Sequence, residues 1–268
     1  MKIKTIVTLL ILFFFATLHA QHEHQHEGPY QCKKKKDAII YSIGSASLGI
    51  GYYLQSQTAP LSLERISLLD KSSINKFDRI ATSFSSLTAK KASDFFFYGT
   101  LAMPAVFVFS KRMRRDVRDI SLIYGETLFF TVGLTIITKN VRHRIRPLAY
   151  NSNFSLEDKM TKNARFSFFS GHASVVAASS FFTAKVFSDY NPDSKWRPWV
   201  WGAAITFPAI TGYLRVRAGK HFPTDVMTGY AVGALIGYFV PHIHKKKNRN
   251  KNIKLSVLPT GGYLSWRF

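Results

Sequence analysis

Apolar residues in this chain of 268 residues gather in blocks. After an N-terminal run at 5–18, blocks occupy 38–54, 95–110, 120–138, 173–187, 200–214 and 226–240. Each is about as long as a helix that crosses a bilayer, some only marginally so. Between the first two internal blocks, residues 55–94 mix polar and apolar positions around L-E-R-I-S-L-L-D-K-S-S-I-N-K-F-D-R-I. That spacing predicts one or two amphipathic helices lying on a membrane surface. The last residues alternate around Pro259-Thr260-Gly261-Gly262, which predicts a small hairpin or an extended tail. The fold class that follows is all-α, a polytopic membrane bundle with five or six membrane helices.

Composition agrees with this layout: 46% of residues are hydrophobic and 15% aromatic, enough apolar surface for a large core. A formal charge of +22 would suggest a nucleic-acid partner in a soluble protein. Here the charges cluster beside the apolar blocks, at Lys33 to Lys36, Lys111 to Arg118 and Lys245 to Lys251. They read as topology signals and contacts for anionic lipid, with the membrane and no nucleic acid as partner. Oligomeric state is not encoded in any pattern, and the single Cys32 can form no internal disulfide.

Residues 1–20, with Lys2, Lys4 and a cut expected after Ala20, read as an export signal, with an uncleaved anchor as the alternative. A polar linker, 21–36, follows, in which His22, His24 and His26 alternate without a fixed ligand set. Segment 37–94 joins a weak apolar helix to the amphipathic stretch, 95–241 forms the core, and 242–268 is a basic tail. With Lys and Arg retained inside, the block ends near 139–147, 173, 214 and 226 face outward, to the periplasm of a bacterial inner membrane. An exported residue 21 would reverse every later helix if 38–54 also crossed. The Gly- and Ser-rich I-G-S-A-S-L-G-I-G is therefore expected not to span fully.

Those four outward ends hold the ionisable residues, and such groups at membrane edges mark a site by default. Lys139 and Arg146 are seven residues apart, two helical turns, with Pro147 expected to stop the helix. Arg146 offers a bidentate fork to a phosphate and Lys139 a point charge. Ser170 is expected to cap the helix that Gly171 and His172 open, leaving backbone N–H groups to face an anion and His172 to donate a proton. Arg215 adds a third cation. His221 sits before Pro223, and Asp225 can accept its Nδ1–H, leaving Nε2 free to attack phosphorus. Taken singly, each feature has an ordinary explanation, as an interfacial anchor or a structural His–Asp pair.

Together the spacings resemble the type 2 phosphatidic acid phosphatase superfamily, with its K-x6-R-P, P-S-G-H and S-R-x5-H-x3-D motifs. They stand here as Lys139, Arg146 and Pro147; Ser170, Gly171 and His172; and Arg215, His221 and Asp225, in that order. Phe169 replaces the expected Pro and Leu214 the expected Ser, which removes one hydroxyl from the phosphate contacts. The resemblance implies His221 as nucleophile, Asp225 as its orienting carboxylate and His172 as general acid. Lys139, Arg146, Arg215, Ser170 and Gly171 would hold the phosphate, with no metal and no cofactor. It implies a phosphatase acting on a lipid phosphate monoester or diphosphate through a phosphohistidine. Undecaprenyl diphosphate, lipid A phosphate, phosphatidylglycerophosphate and phosphatidic acid satisfy the motifs equally. The competing expectations are a lipid phosphotransferase using the same intermediate, a vanadium haloperoxidase, and a basic membrane protein without catalysis.

Overall fold

The computed structural model describes residues 28–246, 253–258 and 261–266. The export signal, His22, His24 and His26 lie outside them. Among the described residues, six long helices follow the apolar blocks: α1 Lys34–Gln57, α2 Leu87–Ala102, α3 Val117–Arg142, α4 Gly171–Tyr190, α5 Arg197–Arg217 and α6 Pro223–His244. Their ends have local causes. Ser86 caps α2 by accepting the Ala89 N–H at 3.1 Å. Beyond Ala102, Pro104 cannot supply an α-helical N–H, and the chain continues as a 3₁₀ stretch, Met103–Phe109. Pro223 occupies the first turn of α6, where its missing N–H costs nothing.

Among the described residues, three stretches are long and apolar enough to cross a membrane, Leu87–Phe109, Val117–Tyr150 and Pro223–His244. The molecule is a multi-pass membrane protein. The sequence predicts five or six membrane helices; six long helices form, and three of these stretches meet both length and composition.

Helix α4 is the axis of the bundle, packing against α2, α3, α5 and α6. Its Val176, Ala177, Ala178, Phe182 and Val186 are fully buried. Contact with α6 is closest where Gly229, Gly233 and Gly237 recur every fourth residue. A Cβ on them would stand 2.5, 2.0 and 2.3 Å from the carbonyl oxygens of Ser170, Ser174 and Ala178. Small residues at this spacing let two backbones approach where lipid removes the hydrophobic drive for helix association. Hydroxyls add polar links, Tyr124 to Ser179 at 2.8 Å and Thr135 to Ser174 at 3.2 Å.

Two expectations change. The segment 38–54 lies within a longer helix than expected, since α1 has 24 residues, about 36 Å at 1.5 Å per residue, and lies along α3, although it is not among the stretches apolar enough to cross a membrane. Its small residues are packing surface, with Gly44 against Phe129 and Gly51 against Ile136, and the Asn140 amide donates to the Gly51 carbonyl at 2.9 Å. Second, the stretch before α2 is no pair of amphipathic surface helices. Short turns, Leu63–Ser67, Lys71–Ser73, Lys76–Arg79 and Ile80–Ser83, fold over one rim of the bundle. Leu61 packs with Leu148 and Ala164, and Ile74 and Ala81 with Phe222. The tail hairpin is present, with strand β1 Ile253–Leu258 pairing antiparallel with β2 Gly261–Trp266.

Candidate active site

The rim under those short turns collects the ends of α3, α4 and α5 and the start of α6. Helix α3 stops earlier than expected, at Arg142, where His143 takes a left-handed conformation (φ 43°). Lys139 and Arg146 therefore do not share a helical face. The chain instead runs extended to Arg146 and returns it beside Lys139, and both line the same cavity. The Lys139 ammonium donates to the Phe166 carbonyl at 2.6 Å. The Arg146 guanidinium donates to Asn163 O, Asn163 Oδ1 and Lys220 O at 2.9, 3.0 and 3.2 Å. Three of its five N–H groups are thereby used, and the remainder are available to an anion.

Ser170 is the N-cap of α4, its Oγ accepting the Ala173 N–H at 3.4 Å, while its own N–H donates to the Asp225 carbonyl at 2.9 Å. Fully buried, it supports the helix terminus that carries Gly171 and His172. His172 Nε2 meets Asp94 Oδ1 at 2.9 Å, with its ring centroid 4.6 Å from that of Phe97. Arg215, in the last turn of α5, donates to Ser93 Oγ at 3.3 Å and reaches the same Asp94 oxygen at 3.5 Å. Its Nε has no partner among the described residues.

Five residues separate α5 from α6, and Gly219 makes the reversal with φ +63°; a Cβ there would meet the Phe84 carbonyl at 2.3 Å. This delivers His221 into the rim at 1% exposure. Its Nδ1 faces the Ser167 carbonyl at 2.8 Å, whereas Asp225 Oδ2 is 3.8 Å away. The expected Asp225–Nδ1 bond is thus replaced by one to a backbone oxygen, because the 167–170 segment lies between the two side chains. A carbonyl only accepts, so Nδ1 carries the hydrogen and Nε2 holds the lone pair. Asp225 acts one step back: Oδ2 accepts from Ser167 Oγ at 2.5 Å and from the Phe222 N–H at 2.9 Å. It fixes both segments that flank the imidazole.

The sequence reading did not anticipate Arg144, Asp78 or Asp94. Arg144 bridges two buried carboxylates, Asp225 at 2.5 Å and Asp78 at 2.7 Å, and its guanidinium lies 4.2 Å from the Phe222 ring centroid. Asp78 also accepts from the N–H and the hydroxyl of Thr224, at 3.0 and 2.7 Å. It ties the segment over the rim to the first turn of α6.

These groups open on a cavity of about 1220 Å³. Lys139, Arg146, Gly171, His172, Arg215 and His221 line one end, joined by Lys220. The rest runs between α2, α3 and α4, past Leu101, Tyr124, Leu128, Val132 and Val175, to Phe107 and Ile120. Ser170 and Asp225 stand behind the wall. Within one site, then, lie clustered cations, an unprotonated imidazole nitrogen and a second histidine, continuous with an apolar channel.

Burial, reinforced by Arg146, Lys139, Arg215 and His172, holds the His221 pKa well below its ordinary 6.5. Lys220 is lowered to about 8 by burial and by Arg146, Lys90 and Arg215. A group with a lowered pKa sheds its proton sooner, so His221 is neutral throughout the physiological range while Lys220 loses its charge just above it. Burial and Arg215 lower His172 to about 4, so its protonated form is a minority through this range. The kcat/KM profile against pH is expected to have its acid limb below 6.5 and to fall near 8 as the Lys220 charge beside the site is lost. The alkaline limb should move up in Lys220→Arg, which stays charged; an unmoved limb would assign it elsewhere.

A helical membrane bundle with a cationic, histidine-bearing rim is the class that fold and site define. Residues 120–249, just under half of the chain, match the PAP2 superfamily model. The chain is similar to the lipid A 4'-phosphatase of Porphyromonas gingivalis, 30% identical over 84 residues, covering 31% of this chain and 32% of that protein. It is similar to the undecaprenyl-diphosphatase of Sulfolobus acidocaldarius, 28% identical over 142 residues, covering 53% and 61%. The match thus spans about a third and about three-fifths of the length of these curated relatives. Among solved structures, a transmembrane PAP2 type phosphatidylglycerolphosphate phosphatase from Bacillus subtilis is similar with a TM-score of 0.44 and 20% identity, over 91% of this chain and 98% of that one.

Proposed function

We propose that the protein hydrolyses a lipid phosphate monoester or diphosphate through a phosphohistidine on His221. The observation that carries this reading is the single cavity whose cationic end holds His221 and His172 and whose remainder is apolar. A polar phosphate and a hydrocarbon tail are thereby accommodated in one space, larger than the roughly 300–1,000 Å³ of drug-sized pockets. The lipid phosphatases among the relatives support the same substrate class.

In the first step Nε2 of His221 attacks phosphorus, and the bond from phosphorus to the lipid oxygen breaks. His172 supplies the proton that the leaving oxygen takes up. In the second step water attacks the phosphohistidine, His172 recovers a proton, and inorganic phosphate leaves with the nitrogen free again. Lys139, Arg146, Arg215 and the Gly171 N–H neutralise the phosphoryl oxygens, since catalysis here is chiefly positioning and charge stabilisation. Asp225 keeps His221 in place through Ser167 and Phe222. With labelled undecaprenyl diphosphate, lipid A, phosphatidylglycerophosphate and phosphatidic acid, at least one is expected to release inorganic phosphate far faster than a water-soluble phosphate ester. Equal rates on soluble ester and lipid would remove the lipid half of the proposal, and label moving onto a second lipid would make the protein a phosphotransferase.

The site is proposed to face the periplasm of a bacterial inner membrane. Lys33, Lys35, Lys36, the 111–118 cluster and Lys245 share the opposite end of the bundle, where the Tyr30–Lys245 bridge joins both termini of the described core. Retaining those cations inside turns the rim outward. A reporter fused after Asn151 should signal the periplasm; a cytoplasmic signal there would reverse the assignment.

A further inference from the structure

At the end of the bundle opposite the rim, three helices bring one ionisable side chain each to a common buried point. Asp37 comes from the first turn of α1, Glu126 from α3 and His244 from the last turn of α6. Their nearest ligating atoms all lie within 4.8 Å of one another, and the three residues are 8%, 0% and 2% exposed. Asp225 and His244 are 19 positions apart on α6, so the cluster is about 28 Å from the phosphate-binding rim at 1.5 Å per residue. Nothing in the phosphatase chemistry uses it.

We propose that Asp37, Glu126 and His244 form a binding site for a divalent first-row transition cation such as zinc. Four observations support this assignment. First, His244 Nδ1 faces the Val240 carbonyl at 2.9 Å, so Nδ1 carries the hydrogen and Nε2 is the nitrogen turned toward the carboxylates. A bond from the far ring nitrogen to a backbone carbonyl is what orients a metal-ligating histidine and sets its tautomer. Second, Nε2 is 3.2 Å from Asp37 Oδ1 and 3.1 Å from Glu126 Oε2. Ligands about 2.0–2.1 Å from zinc stand about 3.3–3.4 Å apart in a tetrahedron, so both nitrogen–oxygen separations suit a shared ion, and the two carboxylate oxygens lie within 4.8 Å of one another.

Third, a histidine proton alone does not satisfy the group. One Nε2–H bonds one oxygen, and it is directed at Asp37. The Glu126 contact is short but lacks hydrogen-bond geometry, and both Glu126 oxygens are buried without a donor. Leaving a carboxylate so is among the costlier arrangements in a protein interior. Fourth, a divalent ion with a neutral imidazole and two carboxylates is electrically neutral, so such a cluster can be buried at the membrane edge without residual charge. The ligand set is nitrogen plus two carboxylates, which suits zinc, manganese or iron(II). Calcium, which takes six to eight oxygens, is a poor fit.

Such an ion would pin α1 to α3 and α6, three segments distant in sequence. The proposal does not depend on the phosphatase reading. Its test uses full-length protein purified in detergent without chelator, supplied with zinc and then dialysed. About one zinc per chain is expected to remain bound. It should remain when His22, His24 and His26 are all replaced by alanine, and fall at least tenfold in Glu126→Gln and in His244→Gln. Zinc is expected to raise the melting temperature of the wild type, and a chelator to lower it. If the ion is lost with the three N-terminal histidines, or survives both core variants, the assignment is wrong. If either core variant fails to fold, the wild-type melting shift and the triple-histidine variant still decide: no zinc-dependent shift overturns the site.

Discussion

Replacing His221 with alanine is expected to lower phosphate release by roughly 10³-fold or more, the usual loss when a covalent nucleophile is removed. The size of the effect follows from the geometry. His221 is held by the Ser167 carbonyl at 2.8 Å with Nε2 free, at the end of the cavity where the cations converge. The other histidine of the rim, His172, has its Nε2 turned to Asp94 at 2.9 Å and is not arranged to take over the attack. His172→Ala should differ in kind. The phosphohistidine should still form with a substrate whose leaving group needs no proton, and fail mainly with alkoxide leaving groups. Rapid quench with a terminally labelled lipid diphosphate, whose leaving group is itself a phosphate, separates the two, since label on protein is expected in His172→Ala and absent in His221→Ala. Undiminished turnover in purified His221→Ala would end the phosphohistidine mechanism.

The second large effect is structural. Gly233→Val is expected to destabilise the bundle by about 3 kcal/mol, the upper range for overpacking a close contact. The first added carbon would lie 2.0 Å from the Ser174 carbonyl oxygen, a backbone atom of the axial helix that cannot rotate away. Relief requires α6 to move off α4. The same stripe continues to Gly229, which faces Ser170, so that movement also opens the rim between His172 and His221. Gly99→Val is the control: a Cβ there meets nothing within 4 Å. Melting in detergent should fall for Gly233→Val and hold for Gly99→Val, apart from a small propensity term. Equal melting temperatures would show that the stripe does not hold the bundle.

Much of this could be read before any coordinates. Helices at most of the apolar blocks, the cap at Ser170, the start at Pro223 and the gathering of Lys139, Arg146, His172, Arg215 and His221 follow from hydropathy and from which block ends share a side. Misjudgements arose where helical spacing was extended through residues that are not helical. His143 turns left-handed after Arg142, so a seven-residue interval proved to be a bend rather than two turns. His221 and Asp225 look like a hydrogen-bonded pair at a spacing of four, but His221 lies before α6, and the Ser167 carbonyl reaches its ring first. Asp78 and Asp94 had no sequence signal, since what singles them out is the distant residue each meets. Arg144 stands inside the K-x6-R-P motif and was hidden among other cations. The four-residue repeat of Gly229, Gly233 and Gly237 was visible, and the close-packing rule for membrane helices would have found it.

The channel leading from the rim separates two kinds of change. The groups proposed to meet phosphate come from helix ends and loops held by backbone bonds, whereas Leu101, Leu128, Val132 and Val175 along the channel are side chains on helix faces. Substitution there alters the length and width offered to a hydrocarbon chain without moving His221 or the cations. A single bundle of this kind can therefore diversify among lipids of different tails while its reaction stays fixed, and the tail, rather than the phosphate, is where its descendants would be told apart.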